Sequence, residues 1–277
     1  MTMKSPSREI SELQLAWLGQ IDYELALEKQ FKAAEAVRNG APGIILACEH
    51  DPVITMGKRG QPLNDVLVSM DVLLRKKIHI VATDRGGQAT FHNPGQLVLY
   101  PILPLRRWEL GVRKYVECLE LTAAYFFAER GVEVTRGFDP GLWVDERKIG
   151  AFGIRVDRGV SLHGSALNIC NELTNFGLIK ICGQRVSATN LASEMSEFGS
   201  APEFWNLQQE AKRWMGLFKN QLDETFCSPT ANLDKLIDLE IPNELIGLDT
   251  PNAIFGSEIP EDIPRSNVPL NTGPEIS

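Results

Sequence analysis

The order in which strand-like and helical runs alternate is what most constrains this chain. Residues 13–18 read as a first strand, residues 21–38 as an amphipathic helix ended near Gly40, and residues 43–49 and 53–56 as strands. Helical spacing returns over 70–77, followed by strands over 78–82 and 97–103. Residues 111–130 then set Val112, Val116, Leu119, Ala123 and Phe127 on one helical face before Gly131 closes the run. Short β segments follow at 132–135, 141–144, 148–156 and 160–169. Asp145-Glu146-Arg147 forms a hairpin connection that puts Lys148 at a strand start. A last helix is predicted over 203–226, with Trp205, Leu207, Trp214, Phe218 and Leu222 as its apolar face. With 277 residues the chain is long enough for one large α/β domain or two modest ones.

Charge divides the chain in two. Residues 231–277 carry nine acids against Lys235 and Arg265, a net of -7 out of -8, and the last fifty residues hold seven of the sixteen prolines. That composition resists helix and sheet, so we expect a catalytic domain over 1–227 and an extended or disordered acidic tail over 228–277. The nearly neutral body offers no field for nucleic acid, and no apolar run approaches the roughly 18 residues a bilayer span needs. No secretory signal is visible at the N-terminus, and the five cysteines form no Cys-x-x-Cys pair, which suits a reducing cytoplasm. His50, His79, His92 and His163 lack metal-ligand spacing, so neither metal nor cofactor is expected.

Two places carry reactive chemistry. Residues 83–96 read as a loop between strands, and Gly86 and Gly87 after Arg85 would let the backbone approach a ligand, although a tight turn explains them as well. Cys182 is followed by Gly183, which leaves the sulfur approachable and offers an unhindered N–H. A small buried hydrophobe is the alternative, and the better reading for Cys48, Cys118 and Cys170. A thiol of pKa about 8.5 is only a few per cent thiolate at neutral pH and needs a base or a cation. Lys148 is a candidate, though a hairpin lysine is more often a solvated charge.

Four blocks, taken in order and spacing, resemble the lipoyl(octanoyl) transferases over about residues 12–225. They are Glu49-His50-Asp51-Pro52-Val53-Ile54-Thr55-Met56-Gly57, Arg85-Gly86-Gly87-Gln88-Ala89-Thr90-Phe91-His92-Asn93-Pro94-Gly95-Gln96, Lys148-Ile149-Gly150-Ala151-Phe152-Gly153 and His163-Gly164-Ser165-Ala166-Leu167-Asn168. The resemblance implies an α/β fold of the α+β type, a mixed β-sheet flanked by helices as in the catalytic domain of biotin and lipoate protein ligases. It implies an acyl-thioester cysteine at Cys182 and a lysine at Lys148 that helps ionise it. It places acyl binding at Arg85, Gly86, Gly87, Gln88, Ala89, Thr90, Phe91 and His92, at Ala151, Phe152 and Gly153, and at Gly164, Ser165 and Ala166. The implied donor is octanoyl-acyl carrier protein. The implied acceptors are lipoyl domains of 2-oxoacid dehydrogenases and the glycine cleavage H protein. Asn93 stands where the family usually has glycine, and Ile181 where it usually has proline. Arg106, Arg107, Arg113 and Lys114 form a candidate docking patch for an acidic carrier, with a solvated helix end as the alternative. An ATP-dependent lipoate or biotin ligase and a non-catalytic acyl-binding protein remain the rival functions.

Overall fold

The computed structural model describes residues 6–137, 141–180, 187–197, 199 and 201–227. The expected tail at 228–277 and the segment 181–186, which includes Ile181 and Cys182, lie outside the described residues. Along the chain run α1 (Pro6–Ser11), β1 (Gln14–Ile21), α2 (Tyr23–Arg38), β2 (Ile44–His50), β3 (Val53–Met56), α3 (Pro62–Asp65), α4 (Met70–Arg75), β4 (His79–Ala82), β5 (Ala89–His92) and β6 (Gln96–Ile102). There follow α5 (Val112–Ala128), β7 (Thr135–Arg136), β8 (Leu142–Val144), β9 (Arg147–Asp157), β10 (Val160–Asn168), a 3-10 turn (Thr174–Leu178), β11 (Ser187–Ala188), α6 (Leu191–Glu197) and α7 (Leu207–Cys227).

The main sheet has the order β1-β2-β6-β10-β9-β8-β7, with β11 added alongside β9. β1 and β2 run parallel, joined by the crossover helix α2, and β11 runs parallel to β9, whereas the other neighbours are antiparallel. The mixed sheet implied by the family resemblance is therefore present. Asp22 explains why α2 begins two residues later than the sequence pattern suggests, because its carboxylate accepts from the Leu25 N–H and caps the first turn.

Side chains separate to the two faces with the two-residue period of a strand. Ile45, Ala47, Leu97, Leu99 and Leu167 join α5 and α7 residues such as Tyr115, Trp214 and Phe218 in one core. Leu46, Cys48, Val98, Tyr100, Ile102 and Ala166 face the other way, onto Ala26, Ala34 and Val37 of α2. With both faces covered, every residue of β6 is buried, even Gln96.

A smaller sheet of order β4-β3-β5 stands beside this one. Its strand β5 falls inside the stretch read from sequence as continuous loop. Ala89 and Phe91 earn that strand by burial: they pack with Ile54, Met56 and Leu73 and with Phe176 and Ile179 around the 3-10 turn. Phe91 is fully buried, edge-on to Phe176 at 5.4 Å. Phe91→Ala should cost about 3–5 kcal/mol of stability in urea unfolding. A loss below about 1 kcal/mol would show that this ring does not anchor the small sheet.

Candidate active site

Strand β9 does not keep its alternation. Leu142 pairs with Gly150 but the next residue, Trp143, pairs with Lys148, so Ile149 is an extra residue, a β-bulge. Unbroken alternation would put Lys148 on the core face with Phe152 and Ile154. Instead Ile149 enters that core, and Lys148 lines a cleft with Ala151 and Ala166. Lys148 is 5% exposed, with its ammonium 5.3 Å from the centre of the Trp143 ring, a cation–π contact. Gly141, at φ 141°, makes room for it: a Cβ there would lie 2.4 Å from Lys148 Cε and 2.6 Å from the Gly150 carbonyl oxygen.

The cleft continues along β9 and β10. One part, of about 310 Å³ including its open mouth, is lined by Thr90, Phe91, Gln96, Lys148, Gly150, Ala151, Ala166, Asn168 and Phe176. The next, of about 340 Å³, shares Thr90, Ala151 and Ala166 and runs on past Gly153 and Gly164 to Tyr23, Arg85, His92, Val98, Tyr100 and His163. Ala151 is paired with Ala166 and Gly153 with Gly164, so small residues form the floor. Lys148 stands at one end of this groove and His163 at the other.

Phe152 and Ser165 also line the groove, while Gly86, Gly87, Gln88 and Ala89 do not and instead build its wall from behind. The Gly86 N–H donates to the Ile154 carbonyl, and a Cβ at Gly153 would lie 3.1 Å from the Gly86 oxygen. Gly87 has φ 89° and its carbonyl accepts from Arg59 N–H, as the Gln88 carbonyl does from Gly57 N–H. Arg85 folds back on β3, donating from Nη2 to the Thr55 carbonyl at 2.7 Å and from Nη1 to the Gly86 carbonyl at 3.0 Å. The Arg-Gly-Gly sequence thus serves close backbone approach as well as a turn.

A chain of hydrogen bonds joins this wall to Lys148. His92 Nδ1–H donates to Gln96 Oε1 at 2.7 Å, and Gln96 Nε2 donates to Asn168 Oδ1 at 2.9 Å. Asn168 Nδ2 then donates to the Thr189 carbonyl at 2.9 Å and, more weakly, to the Lys148 carbonyl at 3.4 Å. Gln96 and Asn168 were visible in the family blocks but carried no role there. Asn93 does not use the left-handed backbone that glycine would offer; its side chain donates to the Glu172 carbonyl at 2.7 Å and accepts from Asn171 at 3.1 Å.

Apart from Arg85, the distal groove presents neutral groups. Burial pushes the Tyr23 hydroxyl up to about 12. Burial, then His50 and Arg85, push His92 down to about 3. His163 is likewise pushed down to about 3 by burial, Arg85 and Arg155, although its Nε2 lies 2.7 Å from Asp84 Oδ1. A neutral ring donating Nε2–H satisfies both facts, since Arg155 already pairs with Asp84. Such a lining suits an uncharged chain.

None of the described cysteines is prepared as a thiolate. Burial pushes Cys48 up, Cys118 up to about 11, and Cys170 up as well. Cys170 is exposed, which corrects its reading as a buried hydrophobe. The candidate patch also changes character. Arg107 donates to Glu9 and to the Val37 and Ala41 carbonyls, and Glu117 pairs with both Arg113 and Lys114. Among the described residues no cluster of histidine, cysteine or carboxylate could hold a metal, and no helix is long and apolar enough to cross a membrane.

Residues 20–211 match the family model described as the lipoyl protein ligase A/B catalytic domain. An octanoyltransferase of Solibacter usitatus (strain Ellin6076) is 42% identical over 181 residues, 65% of this chain and 82% of that protein. One from Cellvibrio japonicus (strain Ueda107) is 36% identical over 217 residues, 78% of this chain and 95% of that protein. The chain belongs to the octanoyltransferase family. It is an acyltransferase. A lipoate-protein ligase A bound with ATP superposes with a TM-score of 0.55 at 16% identity, over 76% of this chain and 85% of that one. A putative lipoate protein ligase from T. acidophilum with bound lipoic acid gives 0.55 at 13% identity, over 78% and 95%. At such identities the likeness extends to the fold alone.

The two neutral histidines predict an acid-sensitive fold. Unfolding returns each ring to its ordinary value near 6.5, so the unfolded chain binds protons between about pH 6.5 and 3 that the folded chain refuses. Their contribution is intact above about pH 6.5 and falls as the pH drops, by up to about 1.4 kcal/mol per pH unit for each ring. In urea titrations, His92→Gln should flatten this slope by about one proton; an unchanged slope would contradict the assignment.

Proposed function

We propose that this octanoyltransferase carries the acyl group as a thioester on Cys182, taking it from octanoyl-acyl carrier protein and giving it to a lysine of a lipoyl domain. The observation that carries the proposal is Lys148, aimed by a bulge into one end of an apolar groove. Chain connectivity supports bringing Cys182 there. Lys180 N–H is anchored on the Asp65 carbonyl, and Ala188 pairs with Lys148 in β11, so the described residues on either side of 181–186 are held in place, Ala188 directly beside Lys148. The five residues from Ser187 back to Cys182 reach at most about 18 Å.

In the first half-reaction Lys148 takes the Cys182 proton, and the thiolate attacks the thioester carbonyl. The new S–C bond forms as the carrier's thiolate leaves and is reprotonated by the Lys148 ammonium, which restores Lys148 as a base. In the second, the acceptor lysine gives up a proton to Lys148 and its nitrogen displaces Cys182, leaving an amide. The Gly183 N–H would stabilise the oxyanion of each tetrahedral intermediate. The substrate contacts assigned to Arg85–His92, 151–153 and 164–166 divide between the groove surface and the wall behind it. Lipoyl domains of 2-oxoacid dehydrogenases and the glycine cleavage H protein are the acceptors in this scheme. Transfer needs no nucleotide and resides in residues 1–227, with the acidic stretch 228–277 outside the chemistry.

Intact-protein mass after incubation with octanoyl-acyl carrier protein tests this. The expected result is one hydroxylamine-labile octanoyl adduct, absent from Cys182→Ala and formed on the order of a hundredfold more slowly by Lys148→Ala. No adduct on the wild type, together with octanoylation of a lipoyl domain from free octanoate and ATP, would replace the proposal with an adenylating ligase.

A further inference from the structure

The excursion between β3 and β4 holds an exposed surface that the chemistry above does not use. Three large apolar side chains stand out in solvent there: Leu63 of α3 is 97% exposed, and Met70 and Leu74 of α4 are 59% and 66% exposed. Met70 and Leu74 are four residues apart on one helix and so share a face. Their inward neighbour Leu73 is fully buried with Phe91 and Phe176, so the helix is docked by its other side and presents this face outward. Exposed apolar pairs such as Met70 and Leu74 on one helical face point to an interaction site.

Charge gives the surface a sign. Residues 58–77 contain Lys58, Arg59, Arg75, Lys76 and Lys77 against Asp65 and Asp71, a net of +3 in a chain whose total is -8. Asp65 is buried, and its carboxylate is occupied with the Gln61 N–H at 2.8 Å, so little of the opposing charge reaches the surface. All five cations are exposed.

The excursion also adjoins the groove. Lys58 N–H donates to the Arg85 carbonyl and Arg59 N–H to that of Gly87, laying the basic turn over the groove wall. On its other flank Leu67 N–H donates to the Leu178 carbonyl, and Lys180, two residues before Cys182, donates its N–H to Asp65. The earlier candidate patch around Arg106 lacks this position. Arg106 packs against Gly159 at the β9–β10 turn, eleven residues from Lys148 along the strand, or about 35 Å if extended.

From this conjunction we infer that the 58–77 excursion, which exposes Leu63, Met70 and Leu74 together with Lys58, Arg59 and Arg75–Lys77, is the docking surface for the acidic acyl carrier protein. The inference rests on the donor assigned under the proposed function. An acidic helix carrying an apolar residue fits it: anions meet the exposed cations, and the apolar anchor covers Met70 and Leu74. Docked there, the carrier delivers its acyl arm along the Leu178–Lys180 flank toward the Lys148 end of the groove.

The test uses the full chain and two variants, Arg75→Glu/Lys76→Glu/Lys77→Glu and Met70→Ser/Leu74→Ser. Binding of fluorescently labelled octanoyl-acyl carrier protein is measured beside steady-state transfer from the same carrier and from octanoyl-coenzyme A. The expected result is about tenfold weaker carrier binding and a matching rise in KM for both variants, with octanoyl-coenzyme A kinetics and the KM for the lipoyl domain unchanged. The charge-reversal effect alone should shrink at high salt. Unchanged carrier binding in both variants would overturn the inference, as would a rise confined to the lipoyl-domain KM. Wild-type binding at this surface without transfer would leave the surface standing and remove the proposed donor reaction instead.

Discussion

An ammonium group is costly to bury, and the register of β9 decides where this one goes. In regular pleating Lys148 would lie beneath the sheet among Phe152 and Ile154. The single residue inserted at Ile149 exchanges an isoleucine into that core for a lysine out of it. Trp143 and Gly141, both reached through the short strand β8, then supply an aromatic face and the space that the Lys148 side chain requires. The bulge therefore links the packing of the sheet to the chemistry of the groove: the same inserted residue completes one core and opens one site.

The rest of the architecture holds that arrangement still. Helices α5 and α7 cover one face of the sheet and α2 part of the other, so β6 and β10 are buried along their lengths and most of their polar side chains find partners within the protein. Gln96 and Asn168 are such a pair, and Asn168 reaches the backbone on both sides of the Lys148 pairing, at Lys148 and at Thr189. The small sheet supplies the opposite wall through Thr90 and Phe91, and its outward excursion, α3 and α4, flanks the chain segment that leads to Cys182.

Much of this was legible in the sequence. Strands with clear apolar alternation and the long helices α2, α5 and α7 lie within a few residues of their expected bounds, because local pattern and burial agree there. β5 was not legible: a four-residue strand between a glycine pair and Asn93-Pro94-Gly95 looks like loop until Ile54, Leu73 and Phe176 arrive from distant parts of the chain to bury Ala89 and Phe91. The bulge was hidden for a similar reason, since Lys148-Ile149-Gly150-Ala151 scans as ordinary strand and only pairing with β8 exposes the extra residue. Family resemblance marked Gly86, Gly87, Gln88 and Ala89 beside Thr90 and His92, yet could not separate residues that face the groove from those that form its backing. The positive residues near Arg106 looked available in sequence, where Glu9 and Glu117 are not visible as their partners.

The central claim is that the bulge places Lys148 to ionise Cys182, and the pH dependence of Cys182 alkylation tests it most directly. Iodoacetamide modification of the peptide containing Cys182, followed by mass spectrometry across a pH series, reports the thiolate fraction at that one sulfur. The account predicts a midpoint well below the ordinary thiol value of about 8.5 in the wild type, returning to about 8.5 or above in Lys148→Met. The same midpoint in both proteins would contradict it and leave Lys148 as a residue of structure alone.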